Sequence, residues 1–495
     1  MNRFVALILA WVAAVGIGGC SNKNEYTVLI RMMPAQQRFF RDNIISEFEK
    51  RNNCKINVAT FKNQWDIERE LRLEAGKRAP EILLVKTPFE QTRVLAAKGY
   101  IKRLTDIKDS AQVMSDLAEY HPLASALGYV DGDPYFIPRK LETRVLFYLK
   151  SKVADAVEKF PDYRNAINAE LKKRNGYGLP SNYALEENPS EWDFYDLYSV
   201  GWIWANEEYN GVRMPRMAHR GALYGGTALF MVDRALQLGA TQKDILELTS
   251  EPMVQTYLWE NQFVKSVLYN PGMWDDEWKG TDIYNGVKDG KVYLAYFQQI
   301  DCFNVHGWED DPGMPTYLPD INDMGLSVVP KAVSFDLKED GTPRFEGNRN
   351  ISTGGWWWGI PSTSPNPELA YELARFITNK ENQAEECSKF GMLPIRKDIL
   401  NNLEQVFEEG WVGDIFEVSV EQIRNQIEQD TIPTIPMVEN YSQIARNLVK
   451  AWKAVAVEYD ENAAGIADAG MIENRLNAEF VPEQKKLLGD EYPKE

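Results

Sequence analysis

Tyr26-Thr27-Val28-Leu29-Ile30-Arg31-Met32 is apolar at almost every position, the pattern of a strand buried on both faces. Directly after it the period changes: in Gln36 to Lys50, Phe39, Ile44, Ile45 and Phe48 recur at helical spacing among charges, and Arg51-Asn52-Asn53 is a polar exit. Lys55 to Phe61 alternates as a second strand and Ile67 to Gly76 reads as a charged helix. Ile82-Leu83-Leu84-Val85 is a fully apolar third strand, and Phe89 to Lys98 is a helix closed by Gly99. Strands separated by helices predict a parallel sheet covered on both faces, with ligands held at the carboxyl ends of the strands. The loops after these strands, Met33 to Gln37, Lys62 to Trp65 and Lys86 to Phe89, are therefore the first places to look for a site.

Further along, Asp131-Gly132-Asp133-Pro134 predicts a tight turn between two short strands, and Thr143 to Tyr148 a strand. Ser151 to Gly290 is mostly helical, with aromatic-rich loops at Asn188 to Gly211 and Asn270 to Gly280. The strand signal returns at Val292 to Phe297 and Gly325 to Pro330. Pro365-Asn366-Pro367 opens a helix over Glu368 to Asn379, and the rest is helical apart from a break at Thr431 to Pro436. With 495 residues the chain is too long for one core, which stops growing at about 250–300 residues, so two or three domains are expected.

The first twenty residues follow a different pattern. Met1-Asn2-Arg3 is a short basic start, Phe4 to Ile17 is almost wholly apolar, and Ile17-Gly18-Gly19 places small residues before Cys20. The run is short and no basic cluster stops it, so it reads as an export signal rather than a membrane span. It resembles the bacterial lipobox, which implies that Cys20 is acylated and becomes the new N-terminus, tethering the protein to the cell membrane on the periplasmic or exterior side. A net charge of −18 excludes nucleic acid and anionic lipid as partners. Cys54, Cys302 and Cys387 have no CxxC spacing; an oxidising compartment would allow one disulfide among them, but they read as buried free thiols. His121, His219 and His306 fall in no nucleophile or zinc motif, and Asp275-Asp276-Glu277 and Glu309-Asp310-Asp311 lack calcium-loop spacing, so no metal or cofactor is expected.

The order of elements, with several local signatures, resembles the extracellular solute-binding proteins that feed ABC importers, in particular the sugar-binding group. The signatures are Ala79-Pro80-Glu81-Ile82-Leu83 with Ala97-Lys98-Gly99-Tyr100-Ile101, Asp131 to Pro138 with Glu142 and Tyr148-Leu149-Lys150, and Gly286 to Ala295. The most specific runs from Gly354-Gly355-Trp356 through Ser364 to Ala370 to Gly391-Met392-Leu393-Pro394-Ile395-Arg396. The resemblance implies an α/β clamshell of the type II periplasmic-binding kind, with two discontinuous lobes joined by a hinge and a ligand in the cleft. Applied to this sequence it places a leader at 1–20, the first lobe at 21–142 and 326–380, and the second lobe at 143–325 and 381–495. It also implies a monomeric binding protein, not an enzyme, whose partners are a carbohydrate and the permease subunits of a transporter.

Sugars present flat C–H faces and a rim of hydroxyls, so a site needs aromatic platforms beside planar amides and carboxylates. The fourteen tryptophans and twenty-three tyrosines supply platforms. The resemblance places Trp356 near the cleft, with Trp357 beside it, although alternation in a strand sends at least one of Trp356-Trp357-Trp358 to the core. It places Glu142 at the hinge, where the alternative is a salt bridge to Arg139, Lys140 or Arg144, and it places Gln298, Gln299 and Asp301 on a second-lobe loop. Tyr441, after Ile432-Pro433-Thr434-Ile435-Pro436, matches a late aromatic loop, and Arg396 is within reach of a ligand or an interlobe acid. Gln37, Gln64, Trp65, Thr87 and Phe89 sit on the loops after first-lobe strands, and Trp192 is the stacking candidate in the unmatched stretch 160–220. Two other readings remain open: a binding protein for a polyamine, peptide or iron, and an exported glycoside hydrolase using a carboxylate pair.

Overall fold

The structure, a computed structural model, describes residues 24–62, 66–76, 82–207, 212–308, 313–403, 407, 410–427, 434–459 and 468–493. The export segment with Cys20, the loop residues Gln64 and Trp65, the acidic turn 309–311, and Ile432-Pro433 lie outside them.

Two sheets organise the chain. The first has the order β2-β1-β3-β11-β6, built from β1 (Glu25–Ile30), β2 (Lys55–Thr60), β3 (Ile82–Pro88), β6 (Phe136–Glu142) and β11 (Gly354–Gly359). The expected parallel pattern holds for β1, β2 and β3, whereas β11 returns antiparallel to both β3 and β6. The second sheet has the order β10-β7-β9-β8, from β7 (Arg144–Leu149), β8 (Met217–Ala218), β9 (Leu294–Gln298) and β10 (Met324–Ser327). The predicted hairpin is β4 (Tyr129–Val130) paired with β5 (Asp133–Pro134), and its two-residue turn has positive φ at both Asp131 (50°) and Gly132 (88°). That is the geometry Asp-Gly favours between twisted strands.

The first sheet passes into the second within two residues, from Glu142 in β6 to Arg144 in β7. The return differs from expectation. Residues 326–353 do not rejoin the first sheet: Trp259 Nε1 donates to Val333 O at 2.8 Å, Gln255 Oε1 accepts from Phe335 N at 2.8 Å, and Arg349 Nη1 donates to Trp192 O at 3.2 Å. The chain goes back only at Gly354, the first residue of β11. Residues 381–396 also stay with the first sheet, because Gln383 Nε2 donates to Arg139 O at 3.1 Å, and Leu393 and Arg396 bridge to Leu141 and Tyr120. The segment from Trp411 onward packs on the second sheet and its helices.

β11 enters between two strands because its first residues carry no bulk. Gly355 has φ 153°, and a Cβ there would lie 2.3 Å from Lys140 O, so any larger residue would push β6 away. In the stretch 160–220, the helix Phe194–Asn206 is apolar on all sides and buried from Phe194 to Ala205; a capping box between Asp193 and Asp196 starts it. This packing accounts for Trp202, Trp204, Tyr195 and Tyr198 as core residues. Cys54, Cys302 and Cys387 are unbridged.

Candidate functional site

The chain leaves the first sheet at the carboxyl end of β6 and enters the second at Arg144. Glu142, the last residue of β6, is the centre. Its Oε1 accepts from Trp356 Nε1 at 3.0 Å and from Lys140 Nζ at 2.6 Å, and its Oε2 meets Gln298 Nε2 at 3.5 Å. Three expected residues, Glu142, Trp356 and Gln298, therefore meet, two from the first sheet and one from the second. The salt bridge to Lys140 forms as well. Burial opposes ionisation of Glu142, but Lys140, Lys86 and Arg144 outweigh it and hold its carboxyl below the usual carboxylate value. With one oxygen doubly engaged and the other in a single long contact, Glu142 keeps acceptor capacity for a hydroxyl donor.

Trp356 is half-buried, with Lys86 Nζ 4.3 Å above its ring centroid. That ammonium donates to Arg31 O at 2.7 Å, and burial together with Lys140 and Arg139 pushes its pKa well below the ordinary lysine value. The cation, the indole and the carboxylate form a compact group at the ends of β1, β3, β6 and β11. Glu90, in the first turn of the helix Phe89–Ala97, faces the same region. Burial raises its carboxyl to about 7, with the charge of Glu142 adding and Arg31 and Arg144 opposing. Glu90 therefore binds a proton more tightly in the folded chain than in the unfolded one between pH 4.5 and about 7, and stability falls as pH rises through that window. The melting temperature of the ligand-free protein is expected to drop from pH 5 to pH 7.5 more steeply in the wild type than in Glu90→Gln. Parallel slopes in a thermal-denaturation series would refute the assignment.

On the second sheet, Arg144 and Asp233 form a buried bidentate pair, with Nε–Oδ2 at 2.8 Å and Nη2–Oδ1 at 3.0 Å. Tyr296 OH donates to Asp233 Oδ2 at 2.9 Å, Ser352 N donates to Oδ1 at 2.8 Å, and Arg144 Nη2 also donates to Ser352 O at 2.6 Å. Arg144 follows the first crossing and Ser352 precedes the return, so this network ties both connections to the helix Gly225–Gln237 that carries Asp233. Tyr441 is buried, and its hydroxyl has no hydrogen-bond partner among the described residues. Burial raises its pKa, Glu90 and Asp233 add to the shift and Arg144 opposes it, so its hydroxyl sits within this charged group.

The remaining expected residues divide. Gln299 is buried with Oε1 accepting from Thr143 N at 3.0 Å, which braces the crossing itself. Asp301 is engaged within its own lobe, accepting from Arg220 Nη2 at 2.6 Å, from Gln298 N at 2.9 Å and from the Tyr284 hydroxyl. It positions Gln298, with Oδ2 accepting twice and Oδ1 held by Tyr284. Trp357 belongs to the core, donating to Ala124 O at 2.9 Å with Phe89 packed 5.7 Å away, so both are corrected to packing residues. Trp358 is buried too, stacked on Phe40 at 6.1 Å, so the two neighbouring indoles fill opposite faces of a sheet that is covered on both. Thr87, opposite Trp357, is buried beside it. Trp192 is fully buried with its Nε1 donating to Glu186 O at 2.8 Å, and is a core residue rather than a platform. Arg396 is held by Glu119 at 2.8 Å and Asp398 at 2.9 Å, which takes it away from the cleft. Gln37 is half-buried in the helix Pro34–Phe39, while its neighbour Gln36 donates to Glu386 at 3.0 Å.

Lys86, Glu90, Arg144, Asp233 and Tyr296 were not among the expected site residues. Lys86 had a signal, being a lysine in the otherwise apolar run Ile82 to Val85 and Thr87. Arg144 likewise opens a strand buried at all but one position. Nothing in the sequence links Asp233 to Arg144, because pairing across 89 residues has no local trace.

The profile of the bacterial extracellular solute-binding proteins matches residues 43–409. Comparison with curated proteins gives no match. Among solved structures, the GacH receptor of Streptomyces glaucescens, studied unliganded and in complex with acarbose, aligns at 15% identity over 95% of this chain and 99% of its own, with a TM-score of 0.64. Maltose-bound MalE3 of T. maritima aligns at 16% identity over 94% of this chain and 100% of its own, also at 0.64. An ABC transporter solute-binding protein of Thermotoga lettingae, bound with α-D-tagatose, has the same four values. These likenesses identify the fold as the two-lobed type II periplasmic-binding clamshell.

Proposed function

Because the chain belongs to the bacterial extracellular solute-binding proteins, we propose that it is the receptor of an ABC importer, binding a carbohydrate, in the first place an oligosaccharide, between its two lobes. The observation that carries this reading is Glu142, which accepts from Trp356 of the first sheet and meets Gln298 of the second. An indole, a planar amide and a carboxylate with acceptor capacity are the groups a sugar ring needs, and they sit where the lobes would close on it. Tyr441, whose buried hydroxyl has no partner among the described residues, is the fourth group assigned to the ligand. The neighbouring structures hold acarbose, maltose and tagatose, which supports a carbohydrate here. Lys86, Lys140 and Arg144 around the same carboxylate disfavour a polyamine.

A thermal-shift panel of maltose, maltotetraose, D-tagatose, putrescine and a tripeptide tests the ligand class. A ligand at a hundred times its Kd stabilises the folded state by about 2.7 kcal/mol. At least one saccharide is expected to raise the melting temperature; a response to putrescine or peptide alone would remove the carbohydrate assignment. A carboxyl raised to about 7 beside one held low is also the pairing that glycosidases use. Turnover of chromogenic glycosides would therefore replace the receptor by an enzyme.

Acylation of Cys20 would hold the monomeric receptor beside its permease and raise its effective concentration there. Cys20→Ala is expected to leave ligand affinity unchanged and to move the protein into the soluble fraction on cell fractionation. Continued sedimentation with membranes would contradict the anchor.

A further inference from the structure

A second aromatic group lies at the far end of the second sheet. β7 leaves the crossing at Arg144 and ends at Leu149, which pairs with Met324 at the start of β10. Its six residues, five steps of about 3.3 Å, put that end roughly 17 Å from Arg144. The helix Gln299–His306 starts beside Gln298 and carries His306 to its other end. A cavity of about 490 Å³ opens there, lined by His306, Trp308 and Trp411, with Lys150, Asn322 and Asp414 at its exposed rim. That volume is within the ~300–1,000 Å³ usual for small-molecule sites.

The rings are already arranged. His306 and Trp411 stack at 3.7 Å with an interplanar angle of 11°, and Trp308 stands edge-on to Trp411 at 5.0 Å. Trp308 is 36% exposed and is the one exposed tryptophan among the described residues. Burying such an indole would favour any ligand with a flat apolar face. Lys150 and Asp414 make no ion pair among the described residues, so the rim presents an acid and a base that do not neutralise each other. A cationic ligand would meet Lys150 and an anionic one Asp414. A ligand uncharged overall, with donors and acceptors around its edge, satisfies both, and a saccharide ring has this combination.

We infer that this cavity is a second carbohydrate site, separate from the cleft, where a sugar ring lies against Trp308 and Trp411 while its hydroxyls accept from Lys150 and donate to Asp414. The site does not depend on what the cleft holds. Saturation-transfer NMR with millimolar maltotetraose or cellotetraose tests it, read as the difference between purified Trp356→Ala protein and the same protein carrying Trp308→Ala, so that residual binding in the weakened cleft, common to both, cancels; D-mannitol is an acyclic control that has no ring face. Transfer to at least one tetrasaccharide and not to mannitol is expected. Trp308→Ala should weaken that binding at least ten-fold, and Asp414→Ala, a change at an exposed position, several-fold. In the otherwise wild-type protein, Trp308→Ala should leave cleft affinity unchanged. No transfer to either tetrasaccharide, or transfer equal in Trp308→Ala, Asp414→Ala and their parent, would overturn the inference. A cleft that takes no sugar would leave the signal in place, so the two readings fail separately.

Discussion

Replacing Asp233 by alanine is expected to cost about 3–5 kcal/mol of stability, the usual loss when one partner of a buried ion pair is removed. Both side chains are almost completely buried, and the carboxylate accepts from Arg144, Tyr296 and Ser352 together. The variant strands the Arg144 guanidinium, which burial penalises and Asp233 offsets most, leaving it its bonds to Ser352. It also frees the Tyr296 hydroxyl and the Ser352 amide inside the protein, each an unsatisfied group costing about 1–3 kcal/mol. Urea denaturation is the measurement. Replacing both ends, Arg144→Met with Asp233→Leu, should recover much of the loss, because apolar pairs of similar volume substitute well for buried ion pairs. A loss below about 1 kcal/mol in Asp233→Ala would mean that the network does not hold the two connections. The pair Arg139–Glu386 in the first lobe is a useful contrast. It is equally buried but less fully bonded, since Arg139 Nε and Nη1 and Glu386 Oε2 have no partner among the described residues.

What the sequence shows directly is the part of the fold written in periodicity. The apolar runs of β1, β3 and β9, the Asp131-Gly132 turn and the helix Pro367–Ile377 are local patterns, and each forms within a few residues of expectation. The misplaced stretch 326–353 has no such pattern. Beyond β10 it consists of turns and isolated bridges, and what assigns it to the second lobe is contact with Trp192, Gln237 and Gln255, far away in sequence. The same holds for 381–396, where Gln383 and Glu386 reach Arg139 across more than 240 residues. Glu142 and Trp356 were placed in this region by the resemblance, and they meet there. The fate of Trp357 was not legible, since both faces of the first sheet are covered and alternation alone does not show which indole reaches the cleft.

Trp356→Ala is expected to weaken binding of a saccharide in the cleft by about ten- to a hundred-fold, the equivalent of the ~1.5–3 kcal/mol gained by burying a large apolar side chain. The substitution removes the platform and also the Nε1 donor that holds Glu142 Oε1, so the carboxylate loses part of its orientation. Its effect on stability should be smaller than that of Asp233→Ala. The indole is half-buried, and Lys86 keeps its bond to Arg31 O while Lys140 keeps Glu142 paired. Trp356→Phe retains a ring without the donor and should fall between the two. Calorimetric titration of the wild type and Trp356→Ala, with the saccharide giving the largest thermal shift, decides the matter: the wild type should bind it tightly at the cleft and the variant at least ten-fold more weakly at a nearly unchanged melting temperature. Equal affinities, with only the melting temperature lowered, would show that Trp356 is a packing residue and that the sugar does not bind against Glu142 and Trp356.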